Sequence, residues 1–156
     1  MHQQPIVIRL SAALALKEAG INQPAFFSYY TIRGSIQARP TATKRPAIFA
    51  PAYTAAELLG LLPGALAVDE NTWVAEERNW RHPTADELTY PDAQLKLIKT
   101  LGGSYIAAYY HHHRNIAFRK TADGKACNLL FGEENPADAL AMLVLGLVEE
   151  GKLAKL

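Results

Sequence analysis

The segment from Asn135 to Gly151 constrains the fold most, because it carries the start signal, the stop signal and the apolar periodicity of one helix. Asn135 is a favourable N-cap and Pro136 suits the first helical position, while Asp138 lies where the helix dipole favours an acid. Gly151 follows the last periodic residue. The apolar residues at helical spacing are Leu140, Leu143, Val144, Leu147 and Val148. One side of this helix must therefore be buried, and we expect the preceding strands to cover it.

The stretch before this helix, residues 104–133, predicts strands separated by turns, with Asp123-Gly124 as the clearest hairpin turn. We therefore predict an α+β fold in which an antiparallel sheet packs against helices, with a C-terminal strand-strand-strand-helix unit. A length of 156 residues fits a single domain spanning residues 1–156.

Capping residues mark two further helices. Ser11 can cap a helix through Ala19, and Thr54 with Glu57 forms the capping-box pattern at the start of another, which Pro63 ends. A third helix is predicted from residues 91–101 because Pro91 stands at its start. Strands are predicted at residues 25–32, 65–70 and 72–78, the last two as a hairpin, with loops at 39–46 and 79–90.

Composition excludes some classes of protein. A formal net charge of +1 gives no long-range field to attract a polyanion, so nucleic acid is not an expected partner. The single Cys127 cannot form an internal disulfide, and no window is apolar for the roughly 18 residues that a membrane helix needs. We expect a cytoplasmic protein that does not enter the membrane.

Three stretches of the chain form a recognisable set: LKEAGI at residues 16–21, AYTAAELLGLLP at 52–63 and NPADALAMLVLGLVEEG at 135–151. They resemble a group of small uncharacterised proteins of bacteriophages and prophages. The resemblance implies an accessory protein without known catalytic residues or cofactors. Residues 116–148 are also similar to HicB antitoxins, in which strands lead through a glycine turn into an Ala- and Leu-rich helix.

Histidines 111 to 113 are the most conspicuous candidates for chemistry, because imidazoles are common metal ligands and alternate strand residues share a face. A catalytic zinc site needs about three protein ligands, and His111 with His113 supplies two. We interpret the triplet as a polar hairpin tip that binds no physiological metal. Its replacement by alanine is then expected to change stability little.

A nucleic-acid-binding surface is the second hypothesis for this region. Aromatic rings could stack on bases beside cations that meet phosphates. The residues concerned are Tyr105, Tyr109, Tyr110 and Phe118 with Arg114, Arg119 and Lys120. Aromatic residues at strand spacing are more often core, so we expect this contact to be weak.

Catalytic arrangements are not apparent in the sequence. Adjacent acids such as Glu76 and Glu77 point to opposite faces of a strand, so they cannot share a reacting group. Cys127 is interpreted as a small buried hydrophobe. We therefore expect a non-catalytic protein-interaction module, with a nucleic-acid binder or HicB-like antitoxin as alternatives and a small metal-dependent enzyme as a further one.

The C-terminal helix also predicts a self-association surface. Asp138 and Glu149 should face water, yet Met142 and Leu145 project between them at about 100° per residue. Gly146 beside this stripe would let a second helix approach closely. We predict that Met142, Leu145 and Gly146 form a homodimer contact, since a symmetric dimer commonly closes such a patch; the chain's own helices are the alternative cover.

Overall fold

A computed structural model describes residues 6–41, 50–77, 79–117, 119–120, 126–127 and 131–153. The chain divides into two compact units, one formed by residues 1–62 with 134–156 and the other by residues 63–133. Helices and antiparallel strands occur together, which confirms the predicted α+β class.

The described elements alternate along the chain. The helices are α1 (Leu10–Glu18), α2 (Ala55–Leu61), α3 (Ala85–Thr89) and α4 (Pro136–Glu149). The strands are β1 (Phe27–Ile32), β2 (Ser35–Pro40), β3 (Ala50–Pro51), β4 (Ala65–Ala67), β5 (Trp73–Glu76), β6 (Asn79–Arg81), β7 (Asp92–Lys99), β8 (Tyr105–His111), β9 (Arg114–Ala117), β10 (Arg119–Lys120), β11 (Ala126–Cys127) and β12 (Phe131–Glu133).

The first unit joins three helices to a small antiparallel sheet of order β2-β1-β3. The β1–β2 hairpin turns at Arg33 and Gly34, both with positive φ, as a two-residue turn between twisted strands requires. Helix α4 packs against α1 and α2. Within this unit, the two earlier helices therefore contact the apolar side of α4.

The N-terminus of α4 is fixed by the segment before α1. Asn135 caps Ala137 N and also donates from Nδ2 to the Val7 carbonyl at 2.8 Å. Asp138 Oδ1 accepts from Arg9 N at 2.7 Å, and its residue is 6% exposed. The expectation that Asp138 faces water is wrong, because its carboxylate satisfies a backbone donor at the start of another helix.

Two cap predictions had different outcomes. Thr54 and Glu57 form a reciprocal capping box at the start of α2, as the sequence predicts. Helix α1 begins at Leu10 and has Arg9 as its N-cap residue. Ser11 therefore lies inside the helix and is not its cap.

The second unit is built on a seven-stranded antiparallel sheet of order β4-β7-β8-β9-β5-β6, with β12 also paired to β8. Strand β7 was predicted as a helix. It pairs with β8 through six residue pairs from Gln94↔Tyr110 to Lys99↔Tyr105, and this pairing overrides the weak helical periodicity of Leu95 and Ile98.

The predicted hairpin of residues 65–78 is also wrong in its pairing. A local turn does form, since Asp69 Oδ1 accepts from Asn71 N at 2.8 Å. The strands on either side pair elsewhere, β4 with β7 and β5 with β6 and β9. Residues 79–90, expected as loop, contain β6 and α3.

Some expectations lie outside the described residues, among them the Asp123-Gly124 turn, Phe118 and the loop at residues 42–46. Strands β10 and β11, on either side of that turn, do pair antiparallel. Within the described part of the chain, no helix has the length and hydrophobicity needed to cross a membrane.

Candidate functional site

The second unit carries an open groove where α3 leads into β7. One cavity of about 330 Å³ is lined by Thr89, Tyr90, Pro91, Asp92, Gln94, Tyr110 and His112. A second, of about 400 Å³, is lined by Asp86, Glu87, Thr89, Tyr90 and His112. Because the two share Thr89, Tyr90 and His112, we treat them as one surface, called here the α3 groove. The volume of each cavity lies at the lower end of the range for small-ligand sites.

Strand alternation decides which side chains of β8 reach this groove. Tyr110 is the cross-strand partner of Gln94, and both line the groove. Successive residues of a strand point to opposite faces, so Tyr109 and His111 project from the other face, where both are buried. Tyr109 donates from its hydroxyl to the Pro63 carbonyl at 2.5 Å, and burial raises its pKa.

His111 supports the groove from behind. Its residue is 1% exposed, and Nε2 lies 2.6 Å from the Tyr90 carbonyl oxygen. Because a carbonyl only accepts, Nε2 carries a proton and donates it to this oxygen. Nδ1 has no hydrogen-bond partner and lies 3.8 Å from Glu87 Oε2. His111 therefore holds the backbone of Tyr90 in place.

An ion pair between Arg81 and Glu87 holds α3 in position. Arg81 bonds to Glu87, with NH2 to Oε2 at 3.2 Å, and also pairs with Glu76. The hydrogen bond from Arg81 lowers the pKa of the Glu87 carboxyl to about 2. Glu87 additionally closes a capping box with Thr84, which starts α3. Charge-assisted bonds of this kind restrict the position of the short helix.

The electrostatics of the groove favour a cation. Asp86 and Asp92 are exposed at its lining, and Glu87 adds a third carboxylate that Arg81 already neutralises. Lys96 lies with Nζ 5.3 Å from the centroid of the Tyr110 ring, so one cation–π contact already forms on this face.

The sequence-predicted contact residues are not brought together on one surface. Tyr109 and His111 are buried, whereas His113 is exposed in the turn between β8 and β9. Arg114 is half-buried and donates to the Ala75 carbonyl at 3.2 Å. Tyr105 and Tyr110 lie on opposite faces of β8, so they form no continuous stacking platform.

The histidine triplet is only in part the expected hairpin tip. His112 and His113 form an exposed two-residue turn in which His112 has a φ of 56°, so His113 does not continue the alternation that would place it beside His111. Among the described residues, no group of three or more His, Cys, Asp or Glu side chains is arranged to hold a metal ion.

The predicted self-association stripe is partly accessible. Met142, Leu145 and Gly146 are each half-buried on α4. Self-association through them stays a prediction. The double substitution Met142→Glu with Leu145→Lys should give a folded monomer by light scattering, if the unsubstituted chain is a dimer. A wild-type chain that is monomeric at high concentration would contradict self-association through this stripe.

Sequence reasoning missed most of the α3 groove. The sequence predicts a loop at Tyr90 and a helix at Asp92 and Gln94. Residues 92–99 instead form strand β7, so the helical periodicity assumed for residues 91–101 is wrong. The one usable signal was the pair Thr84 and Glu87, which predicts a capped turn and does begin α3.

Comparison with known proteins gives no relative: no family model, no curated protein and no solved structure matches this chain.

The Glu87–Arg81 pair predicts a specific pH dependence. Glu87 has a folded-state pKa of about 2 against an ordinary value of 4.5. A depressed pKa contributes stability above the unfolded value that is lost as pH falls from about 4.5 to about 2. We therefore expect Glu87→Gln to lower the free energy of unfolding by on the order of 1–3 kcal/mol at pH 7, with the difference shrinking at acid pH.

Denaturant unfolding at several pH values measures this effect. Glu76→Gln is the matched control, because Glu76 pairs with the same Arg81 but its side chain is 46% exposed. Solvent screening should keep its effect within about 0.5 kcal/mol. An equal loss for both variants, or a Glu87→Gln effect that does not vary with pH, would contradict the assignment.

Proposed function

We propose that this chain is a non-catalytic protein-interaction module that contacts its partner through the α3 groove. The observation that carries the proposal is the exposure of Tyr90 together with the hydrogen bond to its backbone carbonyl. Its residue is 73% exposed, yet its backbone carbonyl is held by the buried ring of His111. An exposed aromatic residue on a fixed backbone beside a cavity has the character of a binding hot spot, because tyrosine has only two side-chain torsions to order on contact.

A non-catalytic role is supported by the state of the titratable groups. Glu87 is committed to Arg81 and Thr84, and a carboxyl with a pKa of about 2 is too weak a base for proton abstraction at neutral pH. His111 is buried with one nitrogen committed to the Tyr90 carbonyl. These groups hold the groove in shape, which suits recognition better than turnover.

The biological setting is part of the same proposal. The three stretches that resemble bacteriophage and prophage proteins support an accessory role in a phage-derived gene cluster, and the single Cys127 supports a cytoplasmic location. Structural phage genes beside this gene would support this setting. A neighbouring toxin gene would favour the antitoxin alternative, and a metabolic operon would contradict both.

Affinity capture with matched variants tests the interaction. Tyr90→Ala should remove a specific partner from the proteins that the tagged chain retains from its native cells. Phe26→Ala is the control, because Phe26 is equally exposed at 73% but belongs to the first unit. Retention of the same proteins by the wild-type chain and both variants would contradict a role for the α3 groove.

A further inference from the structure

We infer that the α3 groove recognises an arginine side chain of the partner protein, an inference that rests on the proposed interaction function. The groove offers an exposed aromatic ring, Tyr90, next to an exposed carboxylate, Asp92, and the amide of Gln94. A guanidinium can stack on an aromatic face while its planar fork donates to a carboxylate.

Charge balance favours a cation over an anion or a neutral group. The groove lining carries three carboxylates, Asp86, Glu87 and Asp92, of which Glu87 pairs with Arg81, and Lys96 is the cation that lies over Tyr110. Lys96 already lies over Tyr110, so we assign stacking of the arginine to Tyr90. A site with excess negative charge discriminates against acidic partner segments.

Arginine is favoured over lysine by the combination of an aromatic ring with more than one polar acceptor. Lysine presents a compact, strongly hydrated ammonium, whereas arginine presents five donors in one plane and is more weakly hydrated. An open groove that combines an aromatic ring, a carboxylate and an amide oxygen fits the planar group. A site for one side chain should bind it weakly, with a dissociation constant on the order of 1–10 mM for an isolated arginine.

Titration of the whole chain with blocked amino acids tests this inference. The probes are N-acetyl-arginine amide, its neutral isostere N-acetyl-citrulline amide and N-acetyl-lysine amide, followed by amide chemical shifts in NMR spectra. We expect arginine to shift the signals of Tyr90, Asp92 and Gln94, and citrulline to bind about tenfold more weakly because the charge is lost. Lysine should fall between the two.

Two variants locate the binding. Asp92→Asn should weaken arginine binding by about fivefold to tenfold. Glu70→Gln removes the same charge from an exposed turn residue of the second unit that lies outside the groove. This control should leave arginine binding unchanged. Equal binding of arginine and citrulline, shifts outside the groove, or no effect of Asp92→Asn would overturn the inference.

Failure of this inference can be told apart from failure of the interaction function. If Tyr90→Ala abolishes capture of a partner but arginine does not bind, the groove is an interaction surface for a different chemistry. If arginine binds in the groove but no captured protein depends on Tyr90, the protein-partner function fails, and with it the assignment of the arginine to a protein.

Discussion

Leu143→Ala should lower the free energy of unfolding by about 2–5 kcal/mol, because a fully buried leucine side chain is replaced by a cavity. Leu143 is 0% exposed on α4, the helix against which α1 and α2 both pack. For a chain of this size the melting temperature should fall by about 5–15 °C. Circular dichroism during thermal and denaturant unfolding measures both quantities.

Met142→Ala is the matched control, one residue away and only half-buried. Because Met142 buries less of its side chain, Met142→Ala should lower the free energy of unfolding by less than half as much as Leu143→Ala. Equal effects of the two substitutions would contradict the assignment of Leu143 to the inward face of α4. A loss below about 1 kcal/mol for Leu143→Ala would contradict the central position of this helix in the first unit.

His111→Ala should be the most damaging substitution in the histidine triplet. It removes a buried ring, leaves a cavity and deprives the Tyr90 carbonyl of its donor. Together these changes should lower the free energy of unfolding by about 2–4 kcal/mol. His113→Ala, at an exposed turn position, should change it by no more than about 0.5 kcal/mol.

Comparison of the single and triple alanine variants isolates the role of His111. The triple variant should lose about the same stability as His111→Ala alone, because His112 and His113 are exposed. This corrects the sequence-based expectation that all three are dispensable. Equal stability of His111→Ala and the wild-type chain would show that the Nε2–Tyr90 bond does not support the groove.

Elements with local stop and start signals could be predicted from the sequence. The C-terminal helix and the capping box at Thr54 form as expected, because a cap is a contact between neighbours in the chain. Strand β1 follows from its aromatic and β-branched composition.

Elements defined by distant partners could not be predicted. Strand β7 is stabilised by β4 and β8, and nothing within residues 92–99 alone distinguishes a strand in that setting from a short helix. The position of Asp138 depends on Arg9, which is 129 residues away in the chain. Helix periodicity correctly predicts that Leu140 and Leu143 are buried, but it cannot show which element covers the opposite side of α4.

The candidate site was missed for the same reason. Of the aromatic and histidine residues proposed from the sequence, Tyr109 and His111 are buried, whereas the half-buried Tyr110 and the exposed His112 line the groove. Which of two alternating sets faces a core depends on the register with β7, and a shift of one residue would exchange them. Tyr90 could be recognised only once the His111 contact was known.

Site-specific photo-crosslinking from Tyr90 tests the central claim most directly. A photoreactive phenylalanine derivative placed at residue 90 of the full chain, in its native cells, should give one discrete protein adduct. The same derivative at Phe26, equally exposed in the first unit, should not give that adduct. A mass-spectrometric map of the adduct should place the linked partner residue close to an arginine. Identical adducts from both positions, or an adduct from residue 26 alone, would contradict the assignment of the α3 groove as the interaction surface.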